Sequence, residues 1–294
     1  MTLTELRYIV ALSNTGHFGR AADACHVSQP TLSVAIKKLE DELGLALFER
    51  SRSRVWPTPL GQRIIERAVC MLDEAANIRA LAKQAKDPFM EPLRLGAIYT
   101  IGPYLFPHML PQLKQMCPQL QLYIEENFTA VLRQKLRNGE LDAIIISLPF
   151  TEADVVTQVL YDEPLVAVLP ANHPLTEKKS ITPTRLAKEN LLLLGAGHCF
   201  RDQVTQLIPE AASTVIGSSL ETLKYMVASG LGVTILPWSA SISGVANGLQ
   251  SRPLNAPNAI RSVALAWRTS LPRHQLIETL SLAIRACQLA GVET

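Results

Sequence analysis

The chain has 294 residues, room for a small domain plus a larger one, and 48% of them are hydrophobic, which excludes a disordered protein. The net charge of +2 hides an uneven layout: Lys and Arg outnumber Asp and Glu 12 to 10 up to Pro88 and balance 16 to 16 beyond it. Five scattered cysteines, at 25, 70, 117, 199 and 287, exclude a secreted disulfide framework and a Cys-x-x-Cys metal site. The N-terminus lacks the basic segment and apolar core of a signal peptide, and no apolar run approaches the roughly 18 residues of a membrane span. The expected location is the cytoplasm, away from membranes.

Residues 1 to about 58 read as short helices with tight breaks. Leu6, Ile9, Val10 and Ser13 form one amphipathic pattern, Gly16 interrupts it, and Phe18 to Ala24 restarts it with small residues. A third helix is clearer: Ser28 reads as its N-cap, Pro30 lies in its first turn, and Gly44 ends it. Its stripe of Leu32, Ile36, Leu39 and Leu43 faces a core. From Pro59 to Asp87, Ile64, Ala68, Met71, Ala75, Ile78, Ala82 and Ala85 recur at spacings of four and three, a heptad-like seam. A helix of this length, on the order of 40 Å, needs a partner for its apolar stripe and is read as a dimerisation helix. The alternative is a surface helix packed on its own domain. Pro88 and Pro92 mark a linker.

Beyond Pro92, strand and helix patterns alternate. Strands are predicted at 93–98, 120–125, 141–146, 191–194 and 262–267, and helices at 103–116, 129–138 with Gly139 as the stop, 219–229 and 272–289. The 219–229 helix opens with what reads as a capping box, Ser218-x-x-Glu221. This order points to an α/β domain. No repeat is visible.

A DNA-reading helix needs short polar groups at its N-terminal turn, cations for phosphates and an apolar back face. Ser28, Gln29, Thr31, Ser33 and Lys37 meet the first two needs, although any surface helix with Gln and Lys looks similar. More specific is the run Phe18-Gly-Arg-Ala-Ala22, His26-Val-Ser-Gln-Pro-Thr-Leu-Ser33, Lys38-Leu-Glu-Asp-Glu-Leu-Gly44, Leu47-Phe-Glu-Arg50 and Thr58-Pro-Leu-Gly61, which closely resembles the helix-turn-helix of LysR-type transcriptional regulators. The resemblance implies an α+β multidomain chain. An N-terminal winged helix-turn-helix (1–58) would be followed by a linker and dimerisation helix (59–88) and a two-lobed α/β domain like the periplasmic binding proteins (89–294). Ser28 to Lys38, with Gln29, Pro30, Thr31, Ser33 and Lys37, would enter the major groove, and Arg50, Arg52 and Arg54 of the wing would meet phosphates. Gln29 could pair with adenine. The implied partners are double-stranded DNA, further copies of the chain as dimer or tetramer, RNA polymerase and a small signal.

Family analogy places the lobe crossings near Tyr161 to Leu165 and Val263 to Trp267, giving lobe I as 92–161 plus 267–294 and lobe II as 162–266. Within lobe II, Cys199 lies where a helix begins after a small-residue turn; the helix dipole and the guanidinium of Arg201 favour a thiolate there. Position alone leaves an inert, packed cysteine equally open. Tyr99-Thr-Ile-Gly-Pro-Tyr-Leu-Phe-Pro-His108, Ile124-Glu-Glu-Asn-Phe-Thr129, Tyr161-Asp-Glu-Pro164, Gly197-His-Cys-Phe-Arg-Asp-Gln203, Ser219-Leu-Glu-Thr-Leu223 and Met226-Val-Ala-Ser-Gly-Leu-Gly232 are similar to the OxyR subgroup, the peroxide sensors of that family. That similarity implies a redox-sensing Cys199 in an effector pocket of Thr100, Thr129, His198, Arg201 and Asp202. It also implies a second, resolving cysteine a few residues on, and here none follows before Cys287. Sulfenic acid, a mixed disulfide, or loss of peroxide sensing are then the open routes.

The rival within the binding class is a regulator answering to a small metabolite, since Thr100, Thr129, His198 and Arg201 also suit a carboxylate. The rival from another class is a thiol peroxidase. Against an enzyme, His198 and Cys199 are adjacent and no third orienting group is identifiable. Gly195-Ala-Gly197 lacks the spacing of a dinucleotide fingerprint, and the six histidines show no metal-ligand spacing. No catalysis, metal or cofactor is expected.

Overall fold

In the computed structural model the described residues are 1–51, 54–84, 91–210, 216–243 and 248–287. Arg52, Ala85, Asp87, Pro88 and the end of the predicted last helix lie outside them. The chain divides in the main into two compact units, one up to the end of the long helix and one from residue 93 onward.

The first unit begins with α1 (Leu3–Thr15), whose Thr2 and Glu5 form a capping box and which Gly16 closes in the left-handed conformation, φ 62°. Next come α2 (Phe18–Ala24) and α3 (Gln29–Leu43). The turn between them runs through His26, also left-handed at φ 56°. Ser28 caps α3 by accepting from the Thr31 N–H, and Gly44 ends it at φ 69°; such caps stabilise a helix by about 1 kcal/mol. Leu32, Ile36 and Leu39 are fully buried with Leu6, Ile9 and Leu12 of α1. A two-stranded antiparallel ribbon of β1 (Phe48–Arg50) and β2 (Val55–Pro57) forms the wing.

The long helix α4 (Pro59–Gln84) follows, and its seam is divided. Ile65 and Ala68 are buried in the core of this same unit, with Ile64 and Leu72 packed beside them. Farther along, Met71 and Ile78 are 46% and 63% exposed. Of the predicted seam, Ile64 and Ala68 are spent on their own domain because α4 packs against α1, whereas Met71 and Ile78 remain exposed.

The second unit runs β3 (Leu93–Ile98), α5 (Gly102–Met116), β4 (Leu122–Asn127), α6 (Thr129–Arg137), β5 (Ala143–Ser147), β6 (Val155–Pro170) and, after a 3-10 turn, α7 (Pro183–Leu186). It continues with β7 (Leu193–Leu194), α8 (Cys199–Leu207), β8 (Ile216–Gly217), α9 (Leu220–Ala228), β9 (Thr234–Pro237), α10 (Trp238–Ile242), β10 (Leu249–Pro253), β11 (Ile260–Arg268) and α11 (His274–Arg285). β3 pairs in parallel with β4 and β5, while β11 is antiparallel to β5 and β6. The 16-residue β6 changes partners along its length: up to Pro164 it pairs with β11, and from Leu165 it pairs with β9 and β10. Periodicity does not reveal β6, because a strand serving two sheets buries first one set of side chains and then another.

One cap differs from expectation. Ser219, not Ser218, is the N-cap of α9, accepting from the Thr222 N–H. Glu221 is instead engaged by the Tyr104 hydroxyl at 3.0 Å and the Lys224 ammonium at 2.9 Å.

Candidate functional site

The outer face of α3 presents Gln29, Pro30, Thr31 and Lys37, all exposed, with Ser33 half-buried. The Ser28 and Thr31 hydroxyls hydrogen-bond to each other at 2.7 Å, so both are partly committed to the cap. Val34, 68% exposed on the same helix, is an apolar group of the kind that meets a thymine methyl, and a pattern of polar base-readers does not include it. The wing arginines divide. Arg50 donates to Glu40 at 2.6 Å and lies over the Phe18 ring at 5.3 Å, which ties the wing to α3. Arg54 is exposed, and Arg52 lies outside the described residues.

In the second unit, the ends of β3, β4 and the turn into α8 enclose a cleft lined by Ile98, Tyr99, Thr100, Asn127, Phe128, Thr129, Gly197, His198 and Cys199, with about 170 Å³ of empty space including its open mouth. Three stretches distant in sequence thus bring together Thr100, Thr129, His198 and Cys199. Cys199 is the first residue of α8 and half-buried. Thr129 opens α6, and its Oγ1 is buried with no hydrogen-bond partner among the described residues. His198 is buried; burial lowers its pKa below the ordinary histidine value, and a hydrogen bond to the Ser218 backbone opposes that shift.

Arg201 and Asp202 are not among the residues that line this cleft. Two residues past Cys199, Arg201 folds back so that Nη1 donates to the Leu194 carbonyl at 2.8 Å, and Asp202 is exposed. The cation behind the cleft is Arg261, at the start of β11. Its Nε donates to Glu163 at 2.7 Å, Nη1 to Thr100 Oγ1 at 3.2 Å and Nη2 to the Thr100 carbonyl at 3.0 Å. Both members of the ion pair are buried, with side chains 1% and 0% exposed. Because Thr100 Oγ1 accepts from Arg261, its own proton is free to be donated elsewhere. Sequence reasoning missed this residue; its signal was a charge near the start of an apolar strand, and its cross-strand partner Glu163 lies in the middle of β6.

The other four cysteines stand apart from this setting. Cys117 and Cys287 are buried and burial raises their pKa values; the Cys287 thiol donates to the Ala283 carbonyl. Cys25 is half-buried, with its pKa raised by burial, and Cys70 is exposed on α4. Ile208, at the end of α8, is 2% exposed within an apolar cluster with Phe200, Val204 and Leu207.

A winged helix-turn-helix joined by a long helix to an α/β effector domain defines a one-chain transcriptional regulator that binds DNA. Residues 3–62 match the bacterial regulatory helix-turn-helix profile of the lysR family, and residues 86–287 match the LysR substrate binding domain. The chain belongs to the LysR family of bacterial regulators and, within it, to the OxyR group. It is 39% identical over 291 residues to the DNA-binding transcriptional dual regulator OxyR of Escherichia coli K12, covering 97% of this chain and 95% of that one. A full-length Cys-to-Asp variant of OxyR from Pseudomonas aeruginosa is 57% identical, with a TM-score of 0.84 over 100% of this chain and 98% of that one. A peroxide-bound variant of Corynebacterium glutamicum OxyR is 33% identical, with a TM-score of 0.64 over 97% and 92% of the two chains. No helix among the described residues is long and apolar enough to cross a membrane.

Proposed function

We propose that this regulator senses hydrogen peroxide through Cys199 and reports it by a one-cysteine route. The observation that carries the reading is the joint placement of Cys199 with Thr129, whose buried hydroxyl has no partner among the described residues, and Thr100, whose hydroxyl oxygen is engaged by Arg261. Two hydroxyls able to donate beside a sulfur suit a small, uncharged, doubly oxygenated ligand. The relative from Corynebacterium glutamicum binds hydrogen peroxide. With Ile208 buried in the apolar core after Cys199, the sulfenic acid persists, is capped by a small thiol, or overoxidises. The protein consumes one peroxide per reduction and is not an enzyme.

Gln29, Thr31, Ser33, Val34 and Lys37 read the major groove, with Pro30 and Ser28 shaping the entry of α3. Residues 59–88 dimerise the chain through the later turns of α4, and dimers pair into tetramers that engage RNA polymerase in the cytoplasm. The effector domain spans 89–294, with lobe I as 92–161 plus 267–294 and lobe II as 162–266. No metal or cofactor takes part.

Footprinting on the protein's own upstream region, before and after peroxide, tests this together with intact mass and sulfenic-acid trapping. A changed footprint that Cys199→Ser abolishes supports it. An unreactive Cys199 with a metabolite-dependent footprint overturns it, and a stoichiometric disulfide from Cys199 to another cysteine of the same chain overturns the one-cysteine route.

A further inference from the structure

Three aromatic rings meet at the cleft. Phe128 is edge-on to His198 with centroids 4.8 Å apart and edge-on to Tyr99 at 5.3 Å, while Tyr99 and His198 are 6.0 Å apart. The backbone at Phe128 is fixed from both sides: its N–H donates to Asn127 Oδ1 at 2.9 Å, and its carbonyl accepts from Leu132 in the first turn of α6. The ring also lies against Gly197, where an added Cβ would come within 3.3 Å of Phe128 Cδ1. Gly197 has φ +94°, so the turn presents bare backbone to the ring two residues before Cys199. Phe128 is thus wedged between the Thr129 side of the cleft and the Cys199 side.

We propose that Phe128 is the specificity-determining residue of the cleft: its ring sets an upper size limit on whatever reaches the Cys199 sulfur. For the oxidant this rests on the peroxide reading above. In that step the sulfur attacks one peroxide oxygen, the S–O bond forms as the O–O bond breaks, and the departing hydroxide takes the thiol proton and leaves as water. The sulfur is oxidised by two electrons and the peroxide is reduced. Hydrogen peroxide carries no substituent on either oxygen and passes, whereas an organic hydroperoxide must place its carbon group where the ring lies. The same limit acts on thiols. In a chain with no nearby second cysteine, only a small thiol reaches the sulfenic acid, so the ring also governs how long the oxidised state lasts.

The test compares reaction rates at Cys199, read by peptide mass spectrometry, in the unchanged protein and in Phe128→Leu and Phe128→Ala. One pair of probes is hydrogen peroxide and cumene hydroperoxide; the other is methyl methanethiolsulfonate and the bulky aromatic disulfide dithiobis-nitrobenzoate. In each pair the ratio of bulky to small probe should rise from Phe to Leu to Ala, by about tenfold or more at Ala, as expected for steric discrimination in an apolar pocket. An unchanged ratio overturns the proposal, as does a rise matched at the buried Cys117 and Cys287, which would report general loosening. If Cys199 of the unchanged protein ignores hydrogen peroxide, the peroxide reading falls, and the two disulfide-forming reagents still decide the role of Phe128.

Discussion

Thr100 is 2% exposed, and a hydroxyl buried so deeply has a role only through its partners. Arg261 supplies them, and Glu163 supplies the countercharge while also accepting from the Ser239 N–H at 2.7 Å. Removing one member of a buried pair leaves the other charge uncompensated, at a cost of about 3–5 kcal/mol. Arg261→Ala should therefore lower the urea midpoint of the effector unit sharply, and Arg261→Met with Glu163→Gln should recover most of that loss; equal losses in the two variants would refute a coupled pair. His198 offers a second check. Its folded pKa lies below the ordinary value, so below about pH 6.5 the unfolded chain binds the proton more readily. The stability that neutral His198 contributes is present above that pH and lost as pH falls toward the folded pKa. An NMR titration of the His198 ring should show a midpoint below 6.5, and His198→Gln should flatten the acid side of the stability curve. A midpoint at or above 6.5 would contradict the burial argument.

Among elements, α3 and α4 carry the clearest consequences. The cap and the core stripe of α3 are both local properties, so its exposed face follows from its buried one. If Gln29 makes a bidentate base contact, Gln29→Ala should weaken the preferred site by roughly 1 to 3 kcal/mol and random DNA much less; competition binding with equal losses on both DNAs would exclude base reading. Helix α4 divides its labour. Ala68, 2% exposed, belongs to the DNA-binding unit, and a charge there should unfold that unit. Met71→Glu with Ile78→Glu should leave the unit folded and shift sedimentation toward the monomer. An unchanged mass would remove the dimer role from these turns.

For the molecule as a whole, the charge layout makes DNA affinity salt-dependent, since each phosphate neutralised releases counterions. The wing arginines should not contribute alike. Arg54 is exposed and Arg50 is held by Glu40. Arg54→Gln should reduce the slope of log affinity against log salt by about one, whereas Arg50→Gln should act mainly by loosening the wing from α3, seen as a lower melting temperature of the DNA-binding unit. If both substitutions reduce the slope equally, Arg50 leaves Glu40 on binding DNA.

The helices of the DNA-binding unit were legible from local chemistry: Ser28, Pro30 and Gly44 bound α3 because caps and breakers act within a few residues of themselves. β3 was legible within its residue range, and β4 within two residues, because a short run rich in aliphatic residues carries its own signal, although neither strand alternates in burial. The relation of Cys199 to a cleft became legible through family resemblance, and Thr100, Thr129 and His198 do meet it there. What only the tertiary structure decided depends on contacts between distant stretches. β6 serves two sheets, Ile65 and Ala68 turn α4 onto its own domain, Arg201 turns away to Leu194, and Arg261 reaches Thr100 across 161 residues of sequence. A side chain's type sets what it can bond, whereas the partner it finds is set by which backbone the fold brings within about 3 Å.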